Sequence, residues 1–396
     1  MPGALDGLRV LDLSTLFSAP QVSAMLGDLG ADVVKLETPV GDPMRRMGAS
    51  REGRSLMWAM VARNKRPITL DLDRPDGVAL FHRLVERADV LVENQSTAIL
   101  ERWHATWDEL SAVNPKLVMV SVSCFGSSGP NAGLAGAGTL AEAYAGLTHM
   151  TGAADGPPLL TSLPIGDVLT AISGVVGAIA ACYHRDARGG SGQYVDVSMF
   201  EPILQLLAGS VVGYAPGSPP PHRMGSRVAG GVPRNTYRGS DDRWLVVSAT
   251  TDPQVARVLR VIGRDGDAER ARFAKSKDRL RHADELDALV AAWIAKHPRD
   301  DAIATLTAER IPAAPVNDLA DVLADSHILA RASVVGIDDE TLGRLSMVAP
   351  VPRLSATPGE IRHPGRELGA CNAEVYADWL GLSDAELAEL QRDGVV

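Results

Sequence analysis

Hydrophobic positions in the first half of the chain follow two alternating patterns. Short runs rich in Val, Ile and Leu, typical of buried strands, lie between longer segments with helical spacing. The strand-like runs occupy residues 8–14, 31–37, 67–72, 88–94 and 117–123. Helical segments follow Pro20 and Gly77. This alternation predicts an α/β fold with a doubly wound, Rossmann-like parallel sheet.

The most distinctive pattern lies within residues 157–201. The turn Pro164-Ile165-Gly166 leads to Asp167 and then to small and apolar residues at 168–183, which predict a buried helix. A carboxylate at a helix start is stabilised by the helix dipole and the free N–H groups. Asp167 is therefore either a helix cap or a nucleophile that forms covalent acyl intermediates.

A proline-rich segment, 215–221, divides the second half of the chain from the first. Such composition is typical of a linker, and we expect a second domain to begin near residue 227. A strand at 244–250 and helices up to about residue 310 follow, and a last helix is predicted at 385–392. Glu142 is interpreted as a surface or capping acid, with a role in orienting substrate as the less favoured alternative.

Composition and charge limit the classes of protein to which this chain can belong. The 396 residues carry 39 basic and 49 acidic side chains, a net charge of −10, and no basic tail, so we do not expect a nucleic-acid partner. Seven basic residues cluster within 45–66, which indicates either a site for a small anionic ligand or a solvated face. The first strand is not followed by G-x-G-x-x-G, which argues against a dinucleotide-dependent enzyme.

The three cysteines, Cys124, Cys182 and Cys371, are far apart and have no metal-ligand spacing. We therefore expect a reduced, cytoplasmic chain without a metal site. No signal-peptide pattern is visible, and the run at 168–183 is too short for a membrane span, so no membrane association is predicted.

Taken together, nine segments resemble the family III CoA-transferases, the CaiB/BaiF superfamily. Each segment is short, but their order and spacing are specific to that family. They are GLRVLDLS…AP (7–20), LGADVVKLE (29–37), NKRPITLDL (64–72), ADVLVEN (88–94), FGSSGP (125–130), GDVLTA (166–171), GGSGQYVDVSM (189–199), IPAAPVNDL (311–319) and RLSATPG (353–359).

The resemblance implies a large Rossmann-like domain built from both chain ends, a smaller inserted α+β domain, and an interlocked homodimer. The implied bounds are 1–215 for the first part of the large domain, 216–226 for a linker, 227–320 for the small domain, and 321–396 for the returning part. The family nucleophile falls on Asp167. It implies transfer of CoA from an acyl-CoA to a free carboxylic acid, with the CoA thioester as substrate and no permanently bound cofactor.

The resemblance also implies which residues of this sequence bind CoA, although at several of the family's CoA-binding positions this chain has a different residue. The implied CoA-binding residues are Ser18, Leu70, Asp71, Leu72, Asn94, Gln95 and Arg102. Thr38 stands where well-known members have arginine, and Asp73 stands where the formyl-CoA branch has lysine. Arg45 or Lys65 would then supply phosphate contacts. The loop Ala229-Gly230-Gly231 or the helix start is expected to stabilise oxyanions.

Two further departures concern the substrate. The formyl-CoA:oxalate enzymes have a glutamine and a glutamate at the positions of Phe17 and Gly138, so we do not expect formyl-CoA or oxalate here. Phe17 favours a less polar acyl pocket. The alternatives are an acyl-CoA racemase or epimerase, whose histidine would fall on Ala137, and a non-catalytic CoA-binding protein.

Overall fold

The computed structural model describes residues 2–396 and confirms an α/β fold with a parallel central sheet. Six strands form the sheet in the order β3-β2-β1-β4-β5-β6, and every neighbouring pair is parallel. They are β1 (Arg9–Asp12), β2 (Asp32–Glu37), β3 (Lys65–Thr69), β4 (Val90–Glu93), β5 (Val118–Ser123) and β6 (Gln193–Ser198). The order reverses between β1 and β4, so the loops after these two strands diverge and leave a crevice.

Ten helices accompany these strands in the first part of the chain. They are α1 (Ser18–Asp28), α2 (Leu56–Val61), α3 (Pro75–Arg87), α4 (Thr97–Arg102), α5 (Trp107–Val113), α6 (Gly138–Tyr144), α7 (Leu147–Met150), α8 (Ile165–Arg188), α9 (Phe200–Leu206) and α10 (Ala208–Gly213). A 3₁₀ turn at Pro43–Arg46 and a short hairpin, Ser50–Arg51 with Arg54–Ser55, lie between β2 and α2.

Helix α8 is longer at both ends than the predicted 168–183. It begins directly after Pro164, and it ends at Gly189, which adopts a left-handed φ of 69°. A glycine in this conformation is the usual end of a helix, because other residues pay a steric penalty there. By length and composition α8 alone, among helices within residues 2–396, could cross a membrane, a test that core helices of soluble proteins also pass.

The two faces of the sheet carry separate hydrophobic cores. On one face, buried leucines of β1, β2 and β4 pack with α3, α5 and the C-terminal helices. On the other face, valines of β1, β4 and β5 pack with α1, α6, α8 and α9. Alternating strand residues thus serve both layers, as expected for a parallel sheet covered on both sides.

The chain divides into two compact units. The first comprises 1–147, 160–214 and 332–396, and the second comprises 148–159 and 215–331. The segment predicted as a linker, 216–226, falls within the second unit. That unit contains a three-stranded antiparallel sheet, β7 (Arg234–Arg238), β8 (Trp244–Ser248), β9 (Ala313–Pro315), and the helices α11 (Asp252–Val261), α12 (Asp267–Arg272), α13 (Ser276–Arg281), α14 (Ala283–Ile294), α15 (Arg299–Ala308), α16 (Leu319–Ala324) and α17 (Ser326–Ala330).

Residues 332–396 return to the first unit. They form a hairpin, β10 (Val334–Asp339) with β11 (Gly343–Val348), and two helices, α18 (Asn372–Leu380) and α19 (Asp384–Arg392). Tyr376 is fully buried, and its hydroxyl donates to Thr69 O at 2.8 Å. Asp71 N donates to Val395 O at 2.8 Å. The large unit is therefore completed by the last residues of the chain.

Candidate active site

Asp167 lies in the first turn of α8 and is partly buried. Pro164 occupies the N-cap position, so Asp167 does not cap its own helix. Ser18 Oγ, at the start of α1, donates to the backbone oxygen of Asp167 at 3.1 Å. In residues 2–396 no side chain donates a hydrogen bond to the Asp167 carboxylate itself, and no cation is paired with it. Apart from a backbone N–H, no group in this range holds its oxygens, so they are available for chemistry.

The carboxylate of Asp167 packs directly against Gly138, the first residue of α6. A Cβ at position 138 would lie 2.2 Å from Asp167 Oδ2 and 2.8 Å from Cγ. Real side chains do not approach so closely, so any other residue at 138 would displace the carboxylate. Gly138 appeared in the sequence only as a departure from the formyl-CoA branch, and its contact with Asp167 could not be seen there.

Glu142, on the same helix as Gly138, is fully buried. Its Oε1 accepts from Gly166 N at 3.0 Å, and its Oε2 accepts from Thr161 Oγ1 at 2.6 Å. The prediction of a surface acid is wrong, whereas the capping role is confirmed for a different helix, α8. The long-range contact between α6 and α8 carries no local sequence signal.

The surroundings of Asp167 make its ionised form less favourable than in water. Burial raises the pKa of Asp167, and the negative charge of Glu142 raises it further, while a backbone N–H acts in the opposite direction. A carboxylate with a raised pKa and no counter-ion is more basic than an ordinary surface aspartate. Perturbed groups of this kind are concentrated at functional sites.

A buried charge cluster holds the loop that joins β1 to α1. Lys65 Nζ binds Asp12 Oδ2 and Pro20 O, each at 2.7 Å, and Lys35 Nζ donates to Ser14 O. Burial alone would raise the pKa of Asp12, but Lys35 and Lys65 outweigh it and hold that pKa well below its usual range. The cluster fixes the loop that ends at Ser18, beside Asp167.

The suggestion that Lys65 contacts a phosphate is wrong for a structural reason. Lys65 is 1% exposed, and its ammonium group is enclosed by Asp12 and Pro20. Burial lowers the pKa of Lys65 to about 8, although the charge of Asp12 opposes this shift. No ligand phosphate could reach it without unfolding the loop.

A cavity of about 220 Å³ opens at the carboxyl ends of the strands where the sheet order reverses. Its wall comes from the loops after β1, β2, β3 and β4 and from the residue that follows α4. The lining includes Leu13, Thr15, Leu36, Thr38, Arg46, Leu72, Gln95 and Trp103. The crevice is partly apolar and partly polar, and its charged lining residues are Lys35, Glu37, Asp42 and Arg46.

Two of the residues predicted to bind CoA, Leu72 and Gln95, line this cavity. Asn94 lies behind it, where its side chain pairs with the backbone N–H and C=O of Thr15 at 2.8 and 2.9 Å. Arg102 is exposed and paired with Asp73 at 3.0 Å, next to the cavity residue Trp103.

The other predicted contacts lie elsewhere. Leu70 is fully buried in the core, Asp71 donates its N–H to Val395 O after the last helix, and Ser18 lies beside Asp167. The Arg45 guanidinium is bound to both oxygens of Glu37, at 2.7 Å each, and stacks on Trp58. The structure therefore brings Ser18 to the nucleophile and Leu72 and Gln95 to the cavity, without placing all predicted residues in one site.

Most basic side chains of the cluster at 45–66 form ion pairs within the protein. Five of its seven members are bound in this way: Arg45 to Glu37, Arg54 to Asp339 and Glu367, Arg63 to Asp28, Lys65 to Asp12, and Arg66 to Asp32, Glu374 and Asp378. Among the residues from 2 onward, Arg46 and Arg51 donate only to backbone oxygens. Of the seven, Arg46 is the one that lines the cavity.

Phe17 packs with Met44 and Trp58 in a small hydrophobic cluster. Its ring therefore has a packing role, and the less polar acyl pocket stays a prediction. In the described range, 2–396, no group of three or more His, Cys, Asp or Glu side chains could hold a metal ion.

Comparison with known proteins places these observations in a family. The sequence matches CoA-transferase family III over residues 5–372. It is 39% identical over 397 residues to succinyl-CoA–D-citramalate CoA-transferase of Chloroflexus aurantiacus, covering 100% of this chain and 98% of that protein. It is 36% identical to the beta subunit of succinyl-CoA–L-malate CoA-transferase of the same organism, covering 99% and 98%.

The fold agrees with this assignment. A crystal structure of a CaiB/BaiF family protein from Brucella suis matches with a TM-score of 0.83 and 30% identity, over 96% of this chain and 100% of that one. The chain therefore belongs to CoA-transferase family III and is an acyl-CoA:carboxylate CoA-transferase.

Proposed function

We propose that Asp167 is the nucleophile of a ping-pong CoA transfer. The observation that carries this is the unpaired, partly buried carboxylate at the start of α8, with its pKa raised by burial and by Glu142. Such a carboxylate is partly shielded from bulk water, and only a backbone N–H within the described residues competes for its oxygens. Covalent catalysis needs a basic nucleophile whose acylated form survives long enough to react again.

The reaction balances through two anhydrides and one thioester. Asp167 attacks the thioester carbon, the C–S bond breaks, and a mixed anhydride and CoA thiolate form. The thiolate then attacks the aspartyl carbonyl, which releases the donor carboxylate and leaves an aspartyl-CoA thioester. The acceptor carboxylate attacks this thioester, forming a second anhydride, and the returning thiolate takes the acceptor acyl group and frees Asp167.

A trapping experiment tests this proposal. Incubation with acyl-CoA and hydroxylamine should convert the acylated side chain to a hydroxamate on Asp167, detected by mass spectrometry of the digested protein. The matched control is Glu201 on α9, an acid bonded to Ser198, which should remain unmodified. Modification at neither residue, with turnover intact, would contradict the covalent route.

For the CoA moiety we propose the cavity between the loops after β1 and β4. Arg46 lines it and is exposed. Within the described part of the chain its side chain donates only to Val40 O, at 3.2 Å, so its charge is available to a phosphate. It would compensate for Thr38 at the position where well-known relatives have arginine. Arg45 is less suited, because Glu37 already binds its guanidinium at two points.

As donor we propose succinyl-CoA, with a hydroxydicarboxylic acid as acceptor. Two relatives that match nearly the full chain are named for succinyl-CoA and for D-citramalate or L-malate. A formyl-CoA:oxalate CoA-transferase of Streptomyces avermitilis is 33% identical. The family resemblance implies a glutamate in the formyl-CoA branch at the position of Gly138, where a side chain would collide with Asp167 in this chain. A screen of succinyl-CoA and formyl-CoA against D-citramalate, L-malate and oxalate separates these assignments.

The proposal extends to a homodimer, interlocked as the family resemblance implies. Helix α8 exposes an apolar stripe at a spacing of three or four residues: Val168, Ile172, Val176, Ile179 and Tyr183, with exposures of 36 to 63%. A contiguous apolar face of this kind on a folded unit is typical of an interface.

We expect Val176→Asp to convert the protein from dimer to monomer, because a buried charge without a partner disfavours association. Light scattering on a sizing column would report a mass near 41.8 kDa for the variant and twice that for the wild type. Val348→Asp, at a valine 75% exposed on β11, is the control and should leave the mass unchanged. A monomeric wild type would reject the dimer.

A further inference from the structure

Glu142 is a buried acid without a counter-ion. It is 0% exposed, and in the part of the chain that the structure describes its hydrogen-bond donors are Gly166 N and Thr161 Oγ1. Burying a carboxylate that no cation compensates is costly, so the position calls for a specific reason. Both donors lie on the segment that ends in Asp167, and neither lies on the helix that carries Glu142.

We propose that Glu142 is a positioning residue for Asp167, fixing both the first turn of α8 and the segment that leads into it. The inference rests on the proposed role of Asp167 as nucleophile. Gly166, whose N–H is held, is the direct neighbour of Asp167. That N–H is one of the free donors at the start of a helix, where the backbone otherwise has no partner.

The geometry allows little freedom at this point. The two oxygens of one rigid carboxylate hold Gly166 N at 3.0 Å and Thr161 Oγ1 at 2.6 Å, so the helix start and the preceding segment keep a fixed spacing. A Cβ on Gly166 would lie 3.0 Å from Gly138 O and 3.4 Å from Glu142 Cγ. The first turn of α8 thus packs closely against α6 and is hydrogen-bonded to it.

Glu142 also acts on Asp167 through charge. Its negative charge disfavours the ionised form of Asp167, and each covalent intermediate removes the charge of Asp167. Repulsion present in the free enzyme is therefore relieved when the anhydride or thioester forms. An interaction that weakens in this way favours the acylated states over the free enzyme.

The titratable groups on the elements packed against α8 are few. They are Asp28 on α1, held by Arg63; Tyr144 beside Glu142 on α6; Glu201 on α9, bonded to Ser198; and Tyr194 and Asp196 on β6, the latter bonded to Ser127. Strand β5 has no ionisable side chain. Of all these groups, Glu142 is the one whose charge raises the pKa of Asp167.

Three variants distinguish the effect of Glu142 on the position of Asp167 from the effect of its charge on Asp167. Glu142→Gln keeps an oxygen for Gly166 N and an amide facing Thr161, but removes the charge. Glu142→Ala removes both contacts, and Thr161→Val removes one. Glu201→Gln on the neighbouring helix is the matched control, because it removes a charge that does not act on Asp167. For each we would measure kcat and KM for the acyl-CoA between pH 4 and 9.

The Gln variant should move the acid limb of kcat/KM to lower pH. Asp167 must be ionised to attack, so activity is lost as the pH falls through its pKa, and removal of a nearby negative charge lowers that pKa. Glu142→Ala should lose about 100-fold in kcat with a smaller change in KM, and Gln should restore most of the loss. Thr161→Val should lie between them, and Glu201→Gln should match the wild type.

A Gln variant whose profile superimposes on that of the wild type, or an Ala variant with full kcat, would overturn the positioning role. If Glu142→Ala does not fold, the pH profile of Glu142→Gln and the kinetics of Thr161→Val still test the positioning role. Asp167→Asn is measured alongside: if it retains turnover, the proposed nucleophile itself fails, and if it is inactive, an unchanged Gln profile rejects only the inference on Glu142.

Discussion

Asp167→Ala is expected to reduce CoA transfer by a factor on the order of 10⁴ or more while leaving the fold intact, because loss of a covalent nucleophile removes the whole reaction path. The side chain is partly buried and makes no hydrogen bond to another side chain within residues 2–396, so its removal breaks no hydrogen bond between side chains. Transfer would be measured by chromatography of the acyl-CoA products, and the fold by circular dichroism.

Asp167→Asn is the matched control, since it keeps the shape and removes the charge. It should be equally inactive. Because the pKa of Asp167 is raised in the folded state, the ionised carboxylate opposes folding at neutral pH. The Asn variant should therefore melt at a higher temperature than the wild type at pH 7, and the gain should vanish below the ordinary value of 3.8. Turnover in either variant would remove Asp167 from its role.

Gly138→Ala is expected to lower kcat by about 100-fold, the usual effect of displacing a reacting group by about an ångström. The new Cβ would lie 2.2 Å from Asp167 Oδ2, so the carboxylate must rotate away from its position. Binding of CoA in the cavity should change little, because Gly138 is not among the residues that line it. Steady-state kinetics would show a fall in kcat with KM nearly unchanged.

Gly209→Ala, also a glycine within a short helix, controls for the substitution itself. Nothing lies within 4 Å of a Cβ placed there, so this variant should keep wild-type kinetics. If Gly138→Ala were as active as Gly209→Ala, the position of the Asp167 carboxylate against α6 would not matter for catalysis.

The sequence was sufficient for the features that depend on local pattern. Strands β1 to β5 were predicted because parallel strands buried on both faces read as continuous apolar runs. Asp167 could be singled out because it is the one charged residue in a long neutral segment that follows a Pro-x-Gly turn.

Features that depend on distant partners could not be predicted. Glu142 looks like any helix-surface acid until its donor, 24 positions away, is known. The arginines at 45–66 resemble an anion site because their acidic partners, such as Asp339 and Glu374, lie up to about 300 residues further along the chain. Helix α18 was missed because its buried residues pack on β3, far away in sequence.

The return of residues 371–395 to the large unit has a consequence for biosynthesis. Domains form as units while the chain emerges from the ribosome, and contacts between distant residues form late. Residues 215–331 are present in full when the large unit still lacks Tyr376 and Trp379, two fully or nearly buried aromatic side chains of its core. The portion encoded in the middle should thus fold before the portion encoded first, and the nascent Rossmann-like sheet would expose part of one apolar face until residues 371–395 have been made.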